Sequence, residues 1–469
     1  MDKEKDKQGL NVSVKSFVTA IIVIFALMLL TYVLTFVIPG GQFERVLDAN
    51  GNLIIDTSSE FKSIEGGLPF WKWLLSPILV LGADGGAMLI AVIVFLLVIG
   101  GIFNSLEVCG LMKYMLDRIV CRFGDTRYKL MAVLVFFFMM MGSFVGSFEE
   151  CVPLVPIVVA LSVGLGWDAL TGMGMSILAA GCGFAAGVCN PFTVGVAQTL
   201  AGLPMFSGAG MRMLSFLLIY ALLFVFLRGH AKKVEKPIDI EAASYCVYDV
   251  KMKKGITCFA VILGAGIVLV FSSSFIKVLQ DYTLIIVAVM FLVAGLTATL
   301  VAGMKPGTLG KTFLKGVVTI MPAVLMILMA SSIKYTLEES NILDTILHAA
   351  VNTAGSLPKW AVILFIYLLV LVLNFFIASG SAKAFLLIPL IVPIAQVFGI
   401  PPQLCIMAYA FGDGFSNVFY PTNAALLISL GLADVGYGDW AKWSIKFQLL
   451  NLVLTSGMLL LGLAVGYGL

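Results

Sequence analysis

The sequence predicts an all-α polytopic membrane protein. It would hold two inverted repeats, with about nine crossings, two re-entrant helical hairpins and two broken helices. Three observations predict this. The 469 residues are 61% hydrophobic and 12% charged, with a mean hydropathy of +1.07, whereas soluble domains are about half apolar and a quarter charged. The apolar residues gather into runs that match or exceed the roughly 20 residues needed to cross a bilayer. Two pairs of these runs are interrupted by polar, charged or proline residues at related positions in the two halves.

The runs fall at 17–38, 86–106, 130–166, 171–202, 211–228, 255–275, 283–303, 317–337, 360–399, 403–432 and 443–466. Residues 1–16 are polar and basic, and we read them as a cytoplasmic N-terminus. The run from Phe17 to Ile38 is long for a signal peptide and lacks a small-residue cleavage site, so it is expected to be retained as the first span. Runs 130–166 and 360–399 are too long for one crossing, so each is expected to fold as a hairpin that leaves on the side it entered. Runs 171–202 and 403–432 are expected to cross once. They are broken by Asn190-Pro191 and by Tyr420-Pro421-Thr422-Asn423.

Charge tests this layout. With the N-terminus inside, segments 1–16, 107–129, 228–254, 304–316 and 433–446 are internal and hold 21 of the 29 Lys and Arg. The outer segments hold Arg45, Lys62, Lys72, Arg212, Lys277 and Lys359. Such an excess is what the positive-inside rule demands. Ordinary double spans in place of the hairpins would leave the split unchanged, so charge by itself does not decide for hairpins. Only Lys334 and Lys383 remain at membrane depth, and Lys334 lies near enough to a span end to snorkel. The basic linker 229–254 divides a first membrane repeat (17–228) from a second membrane half (255–469), and its charges serve topology and solvation. The outer loop 39–85 carries Phe70-Trp71-Lys72-Trp73, which suits a membrane interface.

Other classes recede. A net charge of +3 does not argue for nucleic acid. The 8 Cys form no CxxC or Cys/His cluster. Cys151, Cys182, Cys189, Cys258 and Cys405 read as reduced packing residues. His230 and His348 are the only histidines and fall in polar connections, so no metal, catalytic histidine or cofactor is expected. No P-loop appears. Energy for transport would come from gradients, of sodium or protons among others.

The halves rhyme. Gly146-Ser147-Phe148-Glu149-Glu150, Pro153-Leu154-Val155-Pro156-Ile157, Gly166 and Asn190-Pro191-Phe192-Thr193 have counterparts in Ser379-Gly380-Ser381-Ala382-Lys383, Leu386-Leu387-Ile388-Pro389-Leu390, Gly399 and Tyr420-Pro421-Thr422-Asn423. In this topology the first hairpin enters from inside and the second from outside, so the repeats are inverted. Paired, interrupted segments in inverted halves point to a transporter's binding site.

The breaks carry the chemistry. Backbone that leaves the helix at membrane depth survives only if buried in protein or lining a cavity. Pro191 and Pro421 break the preceding helical bonding. The half-helices after them begin with free N–H groups suited to a carboxylate, and freed carbonyls suit a cation. Asn190, Thr193, Thr422 and Asn423 add polar side chains there. Ser143, Ser147, Ser379, Gly380 and Ser381 allow tight hairpin tips and offer hydroxyl and backbone groups, or simply close packing. Charges at this depth are functional by default. The repeat offset sets Glu150 opposite Lys383, which suggests a pair across the pseudo-twofold axis. Alternatively Lys383 takes a substrate carboxylate, and Glu149, Glu150 or Asp413 takes a substrate ammonium or a coupling cation.

These residues carry a resemblance. The stretch from Gly142-Ser143 to Glu149-Glu150, then Asn190-Pro191-Phe192-Thr193-Val194-Gly195-Val196-Ala197-Gln198, Ala201-Gly202-Leu203-Pro204, Ser207-Gly208 and Arg212, resembles the YfcC family. That family belongs with the four-carbon dicarboxylate anaerobic carriers, in the ion transporter superfamily that includes the divalent-anion/sodium symporters. The resemblance covers nearly the whole chain. It implies a multi-pass protein of a bacterial inner membrane, and a homodimer with a scaffold domain and a moving transport domain working by elevator-type alternating access. The symporters' Ser-Asn-Thr hairpin tips are matched loosely by Ser147-Phe148-Glu149 and Ser379-Gly380-Ser381. Their Pro-Thr-Asn is matched better, by Pro421-Thr422-Asn423.

The expected function is secondary active transport of a small carboxylate-bearing metabolite. An amino acid fits best, with a basic one and antiport among the options, because Glu149 and Glu150 repel a dianion and relatives include carriers described for basic amino acids. A sodium- or proton-coupled dicarboxylate carrier is the alternative. A channel or an intramembrane enzyme stands further off: no nucleophile–base pair supports an enzyme.

Overall fold

The computed structural model describes residues 14–47, 53–55, 61–64, 67–83, 86–123, 126–204, 206–237, 249–273, 283–354, 357–377 and 379–468. The protein is mostly helical, in the order α1 (Val14–Val37), α2 (Phe70–Leu79), α3 (Gly86–Cys109), α4 (Leu111–Phe123), α5 (Arg127–Met140), α6 (Val155–Gly164), α7 (Ala169–Met173), α8 (Ala179–Ala186), α9 (Val196–Leu200), α10 (Ala209–Val234), α11 (Val250–Ser273), α12 (Thr283–Val301), α13 (Pro306–Glu339), α14 (Ile342–Ala354), α15 (Lys359–Asn374), α16 (Gly380–Val397), α17 (Pro402–Asn417), α18 (Ala424–Leu432) and α19 (Tyr437–Ala464). Among the described residues, five helices are long and apolar enough to cross a membrane: Leu89–Cys109, Arg127–Val145, Ala169–Ala186, Ala209–Val234 and Tyr437–Ala464. Their outward faces are apolar, with Val133, Val225 and Val453 exposed. That is the arrangement expected when the surrounding solvent is lipid.

Several sequence expectations need correction. The loop 39–85 is not irregular throughout: β1 (Gly40–Gln42) pairs antiparallel with β4 (Lys62–Ile64), and β2 (Arg45–Leu47) with β3 (Leu53–Ile55). The class is therefore helical with a small β appendage. The connection 107–129 contains α4. The segment 304–316, expected as a connection, is the first third of α13, which begins with Pro306 in its first turn. Proline fits there because its missing N–H would have no partner anyway. This helix bends by 41° between Pro322 and Ile327, as an internal proline causes. His230 lies inside α10 and His348 inside α14, not in polar connections; His348 stacks on Phe61 with ring centroids 4.2 Å apart. Arg212 is not in an outer loop but fully buried within α10. The helical wheel explains it: Arg212 shares the buried stripe of Ser215, Phe216 and Ile219.

The helices pack in two sets. α1, α2, α3, α11, α12 and α13 pack on one another, with α13 lying along α1, α2 and α3. The second set holds α5 to α10 and α15 to α19, in which α8 packs on α5, α10 and α17, and α15 on α17. Each set draws on both halves of the chain. Glycines allow the closest approaches. A Cβ at Gly414 would run into the backbone of Ala185, so α17 and α8 meet backbone to backbone, the kind of contact that holds helices together without a hydrophobic drive.

The ends of the two long runs are tied. Arg127 at the start of α5 donates to Leu165 O at 2.9 Å and pairs with Glu235, and Lys236 N donates to Gly166 O at 2.7 Å. Lys359 at the start of α15 lies against Gly399, which ends α16 in a left-handed turn (φ +63°). Residues 235 and 236 follow the C-terminal end of α10. At its other end, Gln198 and Gln403 share hydrogen bonds with Ser207, one residue before the Gly208 that caps α10. A helix of 26 residues is about 39 Å long. The base of run 130–166 and the base of run 360–399 therefore lie at opposite ends of α10.

Candidate functional site

Helical breaks follow Val145, Ala186, Asn374 and Asn417. α5 continues through a π turn (Met141–Val145) and stops at Gly146, whose φ is +76°. A 3-10 turn (Glu149–Leu154) then leads into α6. A side chain at Gly146 would clash with Asn190, so this tip sits directly against the first broken helix. There α8 ends in a left-handed Gly187, and a π turn (Pro191–Gly195) restarts the helix. Asn190 Oδ1 accepts from Phe192 N at 2.9 Å and Thr193 N at 3.3 Å, satisfying two donors of the restarted helix. Ser143 Oγ accepts from Val188 N at 3.0 Å. Arg212 donates to Val188 O at 3.1 Å, to Phe206 O at 3.3 Å and to Tyr467 Oη at 3.3 Å. It thus satisfies carbonyls that the break leaves without helical partners.

The second half is built alike but charged differently. α15 ends at Asn374, and α16 starts at Gly380, whose carbonyl accepts from the buried Tyr409 hydroxyl. α17 ends at Asn417, and α18 restarts with Asn423 Oδ1 accepting from Leu426 N at 3.1 Å. Lys383 and Asp413 are both fully buried and form an ion pair at 2.7 Å. Lys383 Nζ also donates to Ile377 O at 3.1 Å and to Asn374 Oδ1. Asn374 Nδ2 lies within bonding distance of Asp413 O (3.1 Å), Ser416 Oγ (2.6 Å) and Asn417 Oδ1 (2.9 Å), and Asn423 Nδ2 reaches Asn417 Oδ1 at 3.1 Å.

One expectation falls here. Lys383 pairs with Asp413, not with Glu150, because α17 brings Asp413 directly beneath the tip of α16. The three protons of the Lys383 ammonium are directed at three protein oxygens.

The two interrupted regions meet. A Cβ at Gly380 would lie 2.6 Å from both Asp413 Oδ2 and Thr193 Cγ2. Glu149 is close enough to Asp413, and Glu150 to Glu149, for their charges to repel. Six buried polar atoms here have no hydrogen-bond partner: Ser147 Oγ, Glu150 Oε2, Asn190 Nδ2, Thr193 Oγ1, Asp413 Oδ2 and Thr422 Oγ1. Buried polar groups are nearly always satisfied; five further such atoms lie elsewhere, on Trp167, Trp443, Ser444 and Asn451. Ser379 is exposed at the start of α16. Pro191 opens the π turn, and Ser381 lies in the first turn of α16, but their side chains lie outside the described residues. Sequence reading missed Arg212, Asn374, Tyr409 and Asn417 as partners of this region. A lone Arg or Asn within an apolar run was the available signal.

Comparison with known proteins places the chain in a family. The sequence profile of the C4-dicarboxylate anaerobic carrier family matches residues 17–464. The chain belongs to that family. Among relatives, the carrier is 27% identical over 406 residues to YfcC of Escherichia coli K12, which is named a candidate basic amino acid antiporter; the match covers 81% of this chain and 78% of that one. An uncharacterized Haemophilus influenzae Rd protein is 22% identical, with coverage of 94% and 95%. Among solved structures, the YdaH transporter of Alcanivorax borkumensis matches with a TM-score of 0.45 at 18% identity, covering 97% of this chain and 99% of that one. MtrF of Neisseria gonorrhoeae, described as one of a class of antimetabolite efflux pumps, matches at 0.42 and 16%, covering 95% and 94%. The carrier is a membrane transporter and not an enzyme.

Proposed function

We propose that the carrier is a secondary active transporter of an amino acid, with a basic one favoured, working by exchange through elevator-type alternating access. The observation that carries the substrate class is the charge at the meeting point. Asp413 is already neutralised by Lys383, while no ion pair to Glu149 or Glu150 exists among the described residues. An amino acid brings its own ammonium to these carboxylates. Its carboxylate can lie against the N-terminal ends of the restarted helices at Pro191 and Asn423. In this reading Ser147, Asn190, Thr193, Ser379, Ser381, Thr422 and Asn423 contact the substrate, and Lys383 acts behind Asp413. Any coupling ion falls to Glu149 or Glu150. The name of the Escherichia coli relative points the same way.

The layout supports the mechanism. The tied ends of runs 130–166 and 360–399, at opposite ends of α10, favour two re-entrant hairpins entering from opposite sides. That is the geometry of inverted repeats. The two packing sets favour a scaffold (α1–α3, α11–α13) and a moving unit that carries the site. In this reading the protein is a homodimer in a bacterial inner membrane with its N-terminus in the cytoplasm.

The family's description favours a second reading, a dicarboxylate carrier. Purified protein in liposomes loaded with arginine or ornithine separates the two. Uptake of labelled arginine by counterflow, unaffected by excess succinate, is expected. Succinate uptake without arginine counterflow would replace the amino-acid reading with the dicarboxylate one.

A further inference from the structure

We infer that the Lys383 ammonium is a tethered counter-ion: it fills a monovalent-cation cage formed by Asn374, Ile377 and Asp413. The nitrogen is held by three oxygens of three kinds: the Asn374 amide, the Ile377 main-chain carbonyl and the Asp413 carboxylate. All four residues are buried, Lys383 and Asp413 fully so. Carboxylate, amide and freed backbone oxygens at a helix break are the ligands a hard cation takes inside a membrane. Ile377 O is free to serve because the helix stops at Asn374 and resumes at Gly380. A lysine could satisfy Asp413 from many directions, but here its side chain delivers the charge into the oxygens of a helix break.

The first half carries no such cage. By the repeat offsets of the tips and of the broken helices, the counterparts of Asn374, Lys383 and Asp413 are Met141, Glu150 and Gly183. The fold therefore offers two related tips and binds a cation covalently at one. A covalent cation moves with the hairpin and cannot be released to either side. This position then contributes no ion to the transport stoichiometry, and Asp413 Oδ2, which has no partner, remains for the guest. The inference deepens the proposed site, but it concerns ion occupancy and not substrate. Its readout is accordingly ion binding, which can fail while amino-acid exchange stands.

The test empties the cage. Lys383→Ala leaves a buried, unpaired carboxylate, which is strongly disfavoured unless a cation replaces the ammonium. The purified variant, wild type and the Lys383→Ala/Asp413→Asn double variant are melted in sodium, lithium, potassium or choline chloride at matched ionic strength. We expect Lys383→Ala to melt higher in sodium or lithium than in choline by about 2 °C or more. The increment should exceed that of wild type and vanish in the double variant. Recovery of folded Lys383→Ala only when sodium or lithium is present during purification supports the same conclusion. A folded Lys383→Ala with no cation-specific increment beyond wild type would overturn it. So would an increment that survives Asp413→Asn, or failure to recover the variant in any of the salts, because a vacated cation cage should be refilled.

Discussion

At the scale of single residues, the site is defined by what its polar atoms lack. The second half links Asn374, Asn417, Asn423, Lys383 and Asp413 in one network and leaves Asp413 Oδ2 and Thr422 Oγ1 without partners, whereas in the first half Ser147, Glu150, Asn190 and Thr193 each present such an atom. Glu150→Gln removes charge at nearly constant shape. If the substrate ammonium faces this carboxylate, the apparent affinity for arginine falls roughly tenfold, about the worth of one charge-assisted hydrogen bond. Neutral amino acids and arginine should lose alike, because both bring an ammonium. Radiotracer uptake by the variant in liposomes checks this. Arg212 plays a different part. Arg212→Met leaves Val188 O and Phe206 O without their buried donor, at about 1–3 kcal/mol for each unsatisfied group. A lower melting temperature in detergent, with reduced uptake, is the expected outcome. Unchanged melting would show that the carbonyls find other donors.

At the scale of elements, close helix approach and end-capping hold the site in place. Gly414→Leu inserts a side chain where α17 touches Ala185 of α8. Overpacking of this kind typically costs about 1–3 kcal/mol, and it also moves Asp413 relative to Thr193. We therefore expect lower stability and near-complete loss of uptake, measured on the same preparation. Beyond the C-terminal end of α6, Asp168 caps α7 through Thr171 N and pairs with His230 of α10 at 2.9 Å. Burial pushes the Asp168 carboxyl up, but the hydrogen bonds from His230 and Thr171 outweigh it and hold the carboxyl below its ordinary 3.8. A lowered carboxyl stabilises the fold above that ordinary value, and the contribution fades as pH falls through the lowered one. The melting-temperature gap between wild type and Asp168→Asn should be widest above about pH 4 and should close below it. A gap constant with pH would mean that the cap acts by shape and not by charge.

At the scale of the whole molecule, the grouping of helices matters more than their order. The moving unit in our proposal combines α5 to α10 with α15 to α19, which sequence order separates by the basic linker and by α11 to α14. If that unit carries the site across the membrane, one residue at the meeting point should be reachable from both sides in turn. Thr193→Cys, in a variant whose native cysteines are replaced, tests this with a membrane-impermeant thiol reagent. Labelling is expected from either face, with a substrate gradient shifting the preferred face. Labelling from one face only, under every gradient, would count against alternating access at this position.

Much of this was legible in the sequence, for a physical reason. Lipid admits no idle irregular backbone, so each place where an apolar run breaks announces itself in residue type. Gly146, Asn190-Pro191, Ser379-Gly380 and Pro421-Thr422-Asn423 could be found without coordinates, as could the membrane class and the list of candidate polar residues. Partnership could not. The repeat offset aligned Glu150 with Lys383, but an offset compares two positions in equivalent folds and does not say what crosses between them. Asp413 and Asn374 reach Lys383 only because α17 packs beneath the tip of α16, and Arg212 serves Val188 only because α10 packs on α8. Composition and periodicity determined that the chain lies in a membrane and where its helices must break. Which buried charges neutralise one another was decided by the packing of helices distant in sequence. An electrostatic partner is chosen by distance in space, and hydrophobic patterning carries no record of that distance.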